Sequence, residues 1–212
     1  MSEFRFSVKK TDTLRNQVYK DIKQAIIRGN LKPGTRLRES DLSEEMGVSR
    51  GPIREAILIL EKEGLLLTQT HKETLVATVS EEEVTGLLNP LRILLETFVI
   101  KKVLPLMTDE HIQQLESIFN ELVTACQNSQ MDQVVEKDLE FHEYIISLTK
   151  EPFLMSLWSS VSSRIVFHFI SNGKKHQEEN FERLIKEHRA LLEVIKSKDL
   201  TKIEEELKKH IY

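Results

Sequence analysis

The spacing of apolar residues near the amino terminus predicts three short helices in succession. The first has a continuous apolar face, formed by Leu14, Val18, Ile22, Ala25 and Ile26. A second helix is predicted from Asp41 to Met46, because Ser40 is a good cap and Gly47 supplies the left-handed residue that ends many helices. A third helix is predicted to begin after Ser49.

Two short β-strands are predicted directly after the third helix. The stretches Leu65 to Thr68 and Thr74 to Val79 are apolar enough to pair as a hairpin across the polar residues between them. Three helices followed by a hairpin form a winged helix-turn-helix. His71 and Lys72, at the tip of the wing, would then face DNA phosphates or the minor groove.

The third helix has the two faces that a DNA recognition helix requires. Ile53 and Ile57 lie on its apolar side, whereas Arg50 and Arg54 lie in its first turns on the opposite side. Side chains in these turns reach base edges and phosphates when such a helix enters the major groove. The alternative to a recognition helix is an ordinary helix whose first turns lie in solvent, with Arg50 and Arg54 as surface arginines.

The rest of the chain has helical spacing almost throughout. Its apolar stripes run over Leu87–Leu104, Ile112–Leu122, Val134–Leu148, Phe153–Phe169, Phe181–Ile195 and Leu200–Ile211. Ser80 and Glu83 form a capping box that marks where this region begins. We therefore expect a mainly α chain with two domains, a winged helix-turn-helix over 1–79 and an all-helical bundle over 80–212.

Several polar side chains of the predicted bundle fall on faces that should point inward. Asp138 and His142 are four residues apart on one apolar face, and His188 and His210 lie on the stripes of two other helices. A buried carboxylate needs a hydrogen-bonding partner or a cation. Either the four residues bind a metal, or Asp138 pairs with His142 and the other two are satisfied core histidines. His168 could line the same cavity.

Charge and composition are compatible with a DNA-binding protein of the cytoplasm. The chain of 212 residues has a net charge of −4, yet residues 1–78 hold 14 Lys and Arg against 11 Asp and Glu. Phosphate binding requires only a local cationic face. The single cysteine, Cys126, cannot form an intrachain disulfide, which favours a reducing compartment. No segment is long enough to span a membrane, so we expect no membrane partner.

The amino-terminal third resembles the DNA-binding domain of the GntR superfamily of bacterial transcription regulators. The resemblance lies in IIRGNLKPGTRLRESDLSEEMGVSRGPIREAILILEKEGLL, residues 26–66, which contains PG, LRE, VSR, PIREA and L-x-x-EGL in that order. The match implies that the residues at the DNA operator are Arg38, Ser49, Arg50, Gly51 and Arg54.

The predicted bundle resembles the FCD ligand-binding domain of FadR-type GntR regulators. The resemblance lies in DLEFH at 138–142, EHRALLEVI at 187–195 and the histidine near the end of the chain. It implies that Asp138, His142, His188 and His210 bind a divalent metal, with open positions for a small carboxylate effector. Such ligands suit zinc, nickel, manganese or iron, and zinc is named as the default.

Two arginines are candidates for pairing with the effector carboxylate. Arg92 matches an arginine common in the family, and Arg164 could act beside it. The alternative for Arg92 is a salt bridge with Glu96, four residues further along the same helix.

These features predict a homodimeric transcription regulator that reads a palindromic operator and responds to a small organic acid. Most members of this family are repressors. The chain has no metalloprotease motif, nucleophile elbow or phosphate loop, so we do not expect an enzyme. The alternatives are a winged-helix dimer with a metal-free, structural bundle and, less favoured, a metal-dependent enzyme.

Overall fold

The computed structural model describes residues 13–69, 73–172 and 177–211. The chain divides into two compact units with the boundary between Ala77 and Thr78. Each unit has its own buried apolar residues.

The first unit is a winged helix-turn-helix, as the apolar spacing predicted. Its elements are α1 (Leu14–Ile27), β1 (Arg36–Leu37), α2 (Glu39–Met46), α3 (Arg50–Lys62), β2 (Leu66–Gln69) and β3 (Glu73–Val76). The three strands form one antiparallel sheet in the order β1-β3-β2. Strand β1 was not predicted, because a strand of two residues is too short to show an alternating pattern.

Helix α2 begins earlier than the sequence predicted. The Arg38 carbonyl accepts hydrogen bonds from the backbone of Asp41 and Leu42, each at 3.1 Å, so Arg38 is the capping residue. The predicted cap at Ser40 is wrong, because Ser40 already lies in the first turn and its hydroxyl donates to Asp41 Oδ1 at 2.8 Å. The end of the helix is as predicted, with Gly47 in the left-handed region at φ 64°.

Packing of α1 against α3 holds the first unit together. The two helices contribute side chains that are almost completely removed from solvent, namely Val18, Ile22, Ile26, Ile53, Ala56 and Leu60. Each large aliphatic side chain buried in this way contributes about 1.5–3 kcal/mol to the stability of the fold. The apolar side of α3 is thus fixed in the core, and its other side faces solvent.

The second unit is entirely helical within the part of the chain that the structure describes. A short helix, α4 (Glu81–Glu83), continues through a π-helical segment (Val84–Leu88) into α5 (Asn89–Val103), and a 3₁₀ turn (Leu104–Leu106) follows. The remaining helices are α6 (Asp109–Gln127), α7 (Met131–Ser147), α8 (Pro152–Asn172), α9 (Gln177–Ser197) and α10 (Ile203–Ile211). None of the described helices has both the length and the apolar character that crossing a bilayer requires.

The start of the second unit confirms half of the predicted capping box. The Ser80 hydroxyl accepts a hydrogen bond from the Glu83 backbone N–H at 3.1 Å and so caps α4. The Glu83 carboxylate accepts two hydrogen bonds from Arg164 of α8 instead of returning to Ser80. The guanidinium is a stronger partner for a carboxylate than a neutral backbone N–H.

The core of the second unit brings α5, α7, α9 and α10 together around large side chains. Phe141, Trp158, Leu191 and Leu207 are among the buried residues of this cluster. Three of these helices, α7, α9 and α10, also direct polar side chains into the core, and these side chains form the candidate metal centre.

Candidate metal centre and nucleic-acid interface

Four metal-ligating side chains from three helices meet in the core of the second unit. Asp138 and His142 come from α7, His188 from α9 and His210 from α10. One ligand atom from each residue lies within 4.8 Å of the corresponding atoms of the other three. The i,i+4 spacing places Asp138 and His142 on one helix face, and the packing of α9 and α10 brings the other two residues to it.

The imidazole of His188 presents an unpartnered nitrogen to this cluster. Its Nδ1–H donates to the Leu184 carbonyl at 3.0 Å, so Nε2 carries the lone pair. Within the described chain this buried Nε2 has no hydrogen-bond partner, although it lies 3.2 Å from Asp138 Oδ1. In the neutral imidazole a lone pair therefore faces a carboxylate oxygen at this distance, which is a favourable arrangement for a cation.

The other two histidines face each other closely. Nε2 of His142 lies 2.9 Å from Nε2 of His210, while Nδ1 of His142 donates to Glu96 Oε2 at 2.6 Å. Nδ1 of His210 is buried, lies 3.6 Å from Glu187 Oε2, and has no hydrogen-bond partner among the described residues. Because Nδ1 of His142 carries the proton, its Nε2 lone pair is directed at the cluster.

Burial and the neighbouring charges favour the ionisation states that metal ligands need. Burial alone would raise the pKa of Asp138, but the close approach of the His188 imidazole outweighs it and holds this pKa well below its usual range. Burial is the largest cause that lowers the pKa of His142, and it also lowers the pKa of His210, to about 3. A carboxylate that stays ionised, together with neutral imidazoles at His142 and His210, can bind a cation without losing protons.

These residues therefore fit a divalent metal ion. The donor set consists of one carboxylate and three imidazoles, and two buried imidazole nitrogens lack a hydrogen-bond partner in the described chain. Nitrogen and oxygen donors without sulfur suit zinc, nickel, manganese or iron.

Arg92 of α5 lies at the edge of the cluster and is already paired. Its Nε donates to Glu96 Oε1 at 2.6 Å, its guanidinium lies 5.6 Å from the centre of the Trp158 ring, and its Nη2 is 3.4 Å from Nε2 of His210. The salt bridge that the sequence offered as the alternative is thus present. Arg92 is also close enough to the cluster to contact an anion bound there.

Arg164 and His168 lie on α8 and contact the start of the second unit. Arg164 donates to both carboxylate oxygens of Glu83, and His168 contacts the Val79 carbonyl at 2.9 Å and Glu81 Oε2 at 2.8 Å. The expectation that His168 lines the cavity with the other histidines is wrong, because both of its ring nitrogens are taken up by these contacts. The pairing of Arg164 with Glu83 gives no support to its predicted effector role.

The five predicted DNA-contacting residues that the structure describes in the first unit are exposed. They are Arg38, Ser49, Arg50, Gly51 and Arg54, at the start of α2 and in the first turns of α3. Arg54 forms a two-point ion pair with Glu39, at 3.1 and 2.8 Å, which holds its guanidinium beside α2. His71 and Lys72 of the wing lie outside the described residues.

The amino-terminal end of α3 has features that suit a close approach by a ligand. Ser49 occupies the capping position, but its side chain accepts no capping hydrogen bond. A Cβ atom added to Gly51 would have no heavy-atom neighbour within 4 Å, so packing inside the protein does not require glycine there. A helix amino terminus attracts phosphate through its exposed N–H groups and its dipole.

Sequence reasoning considered Glu96 only as a partner of Arg92 and missed its contact with His142. Glu96 is 2% exposed, which is unusual for a glutamate. The signal was present in the sequence, because this carboxylate interrupts the apolar run RILLETFVI of α5. Trp158, whose ring centre lies 5.8 Å from that of His142, was assigned only to an apolar stripe.

Comparison with known protein families agrees with both units. The family model for bacterial regulatory proteins of the gntR family matches residues 14–76. The FCD domain model matches residues 88–212, which is more than half of the chain.

Two curated proteins and one solved structure resemble most of the chain. An uncharacterized HTH-type transcriptional regulator of Bacillus subtilis, YdhC, is 30% identical over 196 residues, which span 92% of this chain and 84% of that protein. The gluconate operon transcriptional repressor of Bacillus licheniformis is 28% identical over 84% of this chain and 74% of its own length. The fold resembles E. coli McbR/YncC, with a TM-score of 0.80, 24% identity, and coverage of 94% and 93% of the two chains.

Proposed function

This chain belongs to the GntR family of bacterial transcription regulators, in the group with an FCD domain, and from that premise we propose that it is a homodimeric, metabolite-responsive repressor. Its relatives are transcription regulators, not enzymes, and several are named repressors. In a homodimer two recognition helices read the two halves of a palindromic operator.

The proposed operator contacts come from the exposed turns of α2 and α3. Arg50 and Arg54 read bases or phosphates, and Arg38 binds the DNA backbone. Ser49 and Gly51 allow DNA to approach the amino-terminal end of α3. The observation that supports this assignment is that all five residues are exposed while the opposite side of α3 is buried. His71 and Lys72 are proposed to contact DNA from the wing, on the sequence alone.

A mobility-shift experiment tests the DNA-binding proposal. The purified protein is titrated against the promoter next to its own gene and against scrambled DNA of the same length and composition. We expect selective binding that weakens as the salt concentration rises, because phosphate contacts release counterions. Equal binding to both DNAs at every salt concentration would contradict a sequence-specific regulator.

In the second unit we propose a divalent metal, with zinc as the default, bound by Asp138, His142, His188 and His210. The single observation that carries this proposal is the buried, unpartnered Nε2 of His188 beside a carboxylate oxygen. Such a metal would supply a positive charge, and its open coordination positions could accept a further ligand. The proposed effector is a small organic acid whose carboxylate occupies those positions beside Arg92.

The name of one relative agrees with an acidic effector. The gluconate operon transcriptional repressor controls an operon named for a small organic acid. Helix α8 offers a connection from the cluster to the start of the second unit, because Trp158 lies against His142 while Arg164 and His168 contact residues 78–83. A ligand that favours one arrangement of α8 over another would change operator affinity through this connection.

Elemental analysis tests the metal centre. The protein is purified without a chelator or a metal-affinity resin, and bound zinc, nickel, manganese and iron are measured per chain. We expect close to one equivalent in the wild type and a large loss in His142→Ala. His111→Ala is the matched control, because His111 caps α6 outside the cluster. Metal below a tenth of an equivalent in the wild type, and unchanged in His142→Ala, would remove the centre from the proposal.

A titration of organic acids tests the effector. Candidate acids from pathways encoded beside the gene are added to the metal-loaded protein on its operator. We expect at least one acid to change the operator affinity of the metal-loaded protein and to have no such effect after the metal is removed. An acid that acts equally on the metal-free protein would place the effector elsewhere.

A further inference from the structure

Glu96 is the most deeply buried carboxylate beside the four-residue cluster, and the function proposed above does not use it. Its side chain is 2% exposed, whereas the Asp138 side chain is 20% exposed. It is held on both sides, because Oε1 accepts from Arg92 Nε and Oε2 accepts from His142 Nδ1, each at 2.6 Å. Burying this charge is costly unless both contacts are kept.

The contact with His142 determines which imidazole nitrogen carries the proton. An ionised carboxylate can only accept hydrogen bonds, so it requires a proton on Nδ1 of His142. In a neutral imidazole the other nitrogen, Nε2, then carries the lone pair. This Nε2 is the atom that lies 2.9 Å from His210 Nε2 within the cluster.

The contact with Arg92 fixes the carboxylate in turn. The Arg92 guanidinium lies near the Trp158 ring and stays charged, so Oε1 of Glu96 remains its acceptor and Oε2 remains directed at His142. The four side chains form a chain of contacts in the order Trp158, Arg92, Glu96 and His142. The ring of His142 is 0% exposed and cannot turn to another partner in solvent.

We infer that Glu96, fixed by Arg92, is a positioning residue that holds His142 in the tautomer and ring orientation required of a metal ligand. This inference rests on the metal centre proposed above. Carboxylate partners of metal-bound histidines act in this way generally, and their loss weakens metal affinity by about 10–100-fold. Glu96 itself touches neither the metal nor the effector.

The variant Glu96→Gln separates positioning from simple packing, because it changes chemistry and keeps the shape. Arg92 requires an oxygen, so the glutamine oxygen faces Arg92 and its NH₂ group faces His142. The NH₂ group donates to Nδ1, which moves the imidazole proton to Nε2 and removes the lone pair from the cluster. We expect His142 to change tautomer in the metal-free protein and zinc affinity to fall by about 10–100-fold.

Two measurements test this inference. The tautomer of His142 is read from long-range ¹H–¹⁵N correlations of its imidazole in metal-free protein, and zinc affinity is read by competition with a chromophoric chelator. Glu83→Gln is the matched control, because Glu83 is also paired with an arginine of the second unit but makes no contact with His142. We expect it to leave both readings unchanged.

A pair of double variants keeps the test decisive if Glu96→Gln folds poorly. Arg92→Met with Glu96→Gln and Arg92→Met with Glu96→Met both replace the ion pair by neutral side chains of similar size. Without Arg92 the glutamine amide can turn and present its oxygen to His142. We therefore expect the Gln double variant, but not the Met double variant, to recover the Nδ1–H tautomer and much of the zinc affinity.

The outcomes distinguish the positioning role from the metal centre itself. If the wild type binds zinc and Glu96→Gln binds it as tightly with the same tautomer, the role of Glu96 is wrong and the metal centre stands. If the wild type binds no metal ion, the metal centre fails, and the role of Glu96 fails with it. Equal zinc affinity in the two double variants would also overturn the positioning role.

Discussion

The two units place their functional residues in opposite environments. In the winged helix the proposed DNA contacts at the starts of α2 and α3 are exposed, whereas Ile53, Ala56 and Leu60 of α3 are buried. In the helical bundle the proposed metal ligands are in the core, where His142 and His188 are 0% exposed. Function and stability should therefore be separable in the first unit and coupled in the second.

The difference follows from what each unit is expected to bind. A DNA duplex is larger than the unit and supplies its own charges, so an exposed cationic surface is sufficient and costs little folding energy. A single ion is smaller than a side chain and must be surrounded, so its ligands have to be buried. Burying ionisable groups is unfavourable until the ion is present.

The largest expected effect is the loss of the metal from the bundle. A ligand that binds only the folded state at about a thousand times its dissociation constant stabilises that state by about 4 kcal/mol. We expect a chelator to lower the unfolding free energy of the bundle by this amount and to leave the winged helix unchanged.

The single tryptophan makes this measurement specific for one unit. Trp158 is the only tryptophan of the chain and lies in the bundle core beside His142, so its fluorescence follows the unfolding of the bundle alone. Far-ultraviolet circular dichroism follows both units together. An unfolding curve of Trp158 that is identical with and without chelator would favour the alternative of a metal-free, structural bundle.

A smaller effect is expected from removing one exposed arginine of α3. Arg50→Ala should weaken operator binding by about 1–3 kcal/mol if Arg50 reads a base, and by less if it contacts only a phosphate. The melting temperature of the Arg50→Ala variant should equal that of the wild type, because the Arg50 side chain is exposed.

Lys62→Ala is the matched control for this variant. Lys62 is an exposed cation at the other end of the same helix, about 18 Å away by helical rise. Operator affinities are compared by fluorescence anisotropy at one fixed salt concentration. An equal loss in both variants would show that α3 contributes only general positive charge.

The smallest expected effect is that of Gly51→Ala, which should raise the stability of the winged helix and lower its operator affinity. Gly51 lies in the first turn of α3 with open space around it, so Gly51→Ala should stabilise the winged helix by about 0.5–1 kcal/mol. The added methyl group should weaken operator binding, because it occupies the space where DNA would approach. Urea unfolding and anisotropy on the same sample measure both. Tighter operator binding would place Gly51 away from the DNA.

The sequence alone determined the architecture, because that information is local. Helical spacing of apolar residues, Gly47 at the end of α2 and the cap at Ser80 are short-range signals, and each is present in the structure. The exposed side of α3 followed from the same spacing. Short-range rules failed at the start of α2, where Arg38 instead of Ser40 caps the helix, and at β1, which is too short to leave a pattern.

Tertiary structure decided which polar residues meet. The apolar spacing could place Asp138 and His142 on one helix face and His188 and His210 on the inward faces of two others, and the family resemblance implied that the four bind one metal. The contact between Glu96 and His142 depends on the packing of α5 against α7, and so could be seen only in the structure. The position of α8 likewise determines that His168 pairs with Val79 and Glu81 instead of lying in the cluster. Contacts between residues 46 or 89 positions apart depend on how helices pack, and apolar spacing along one helix carries no information about that.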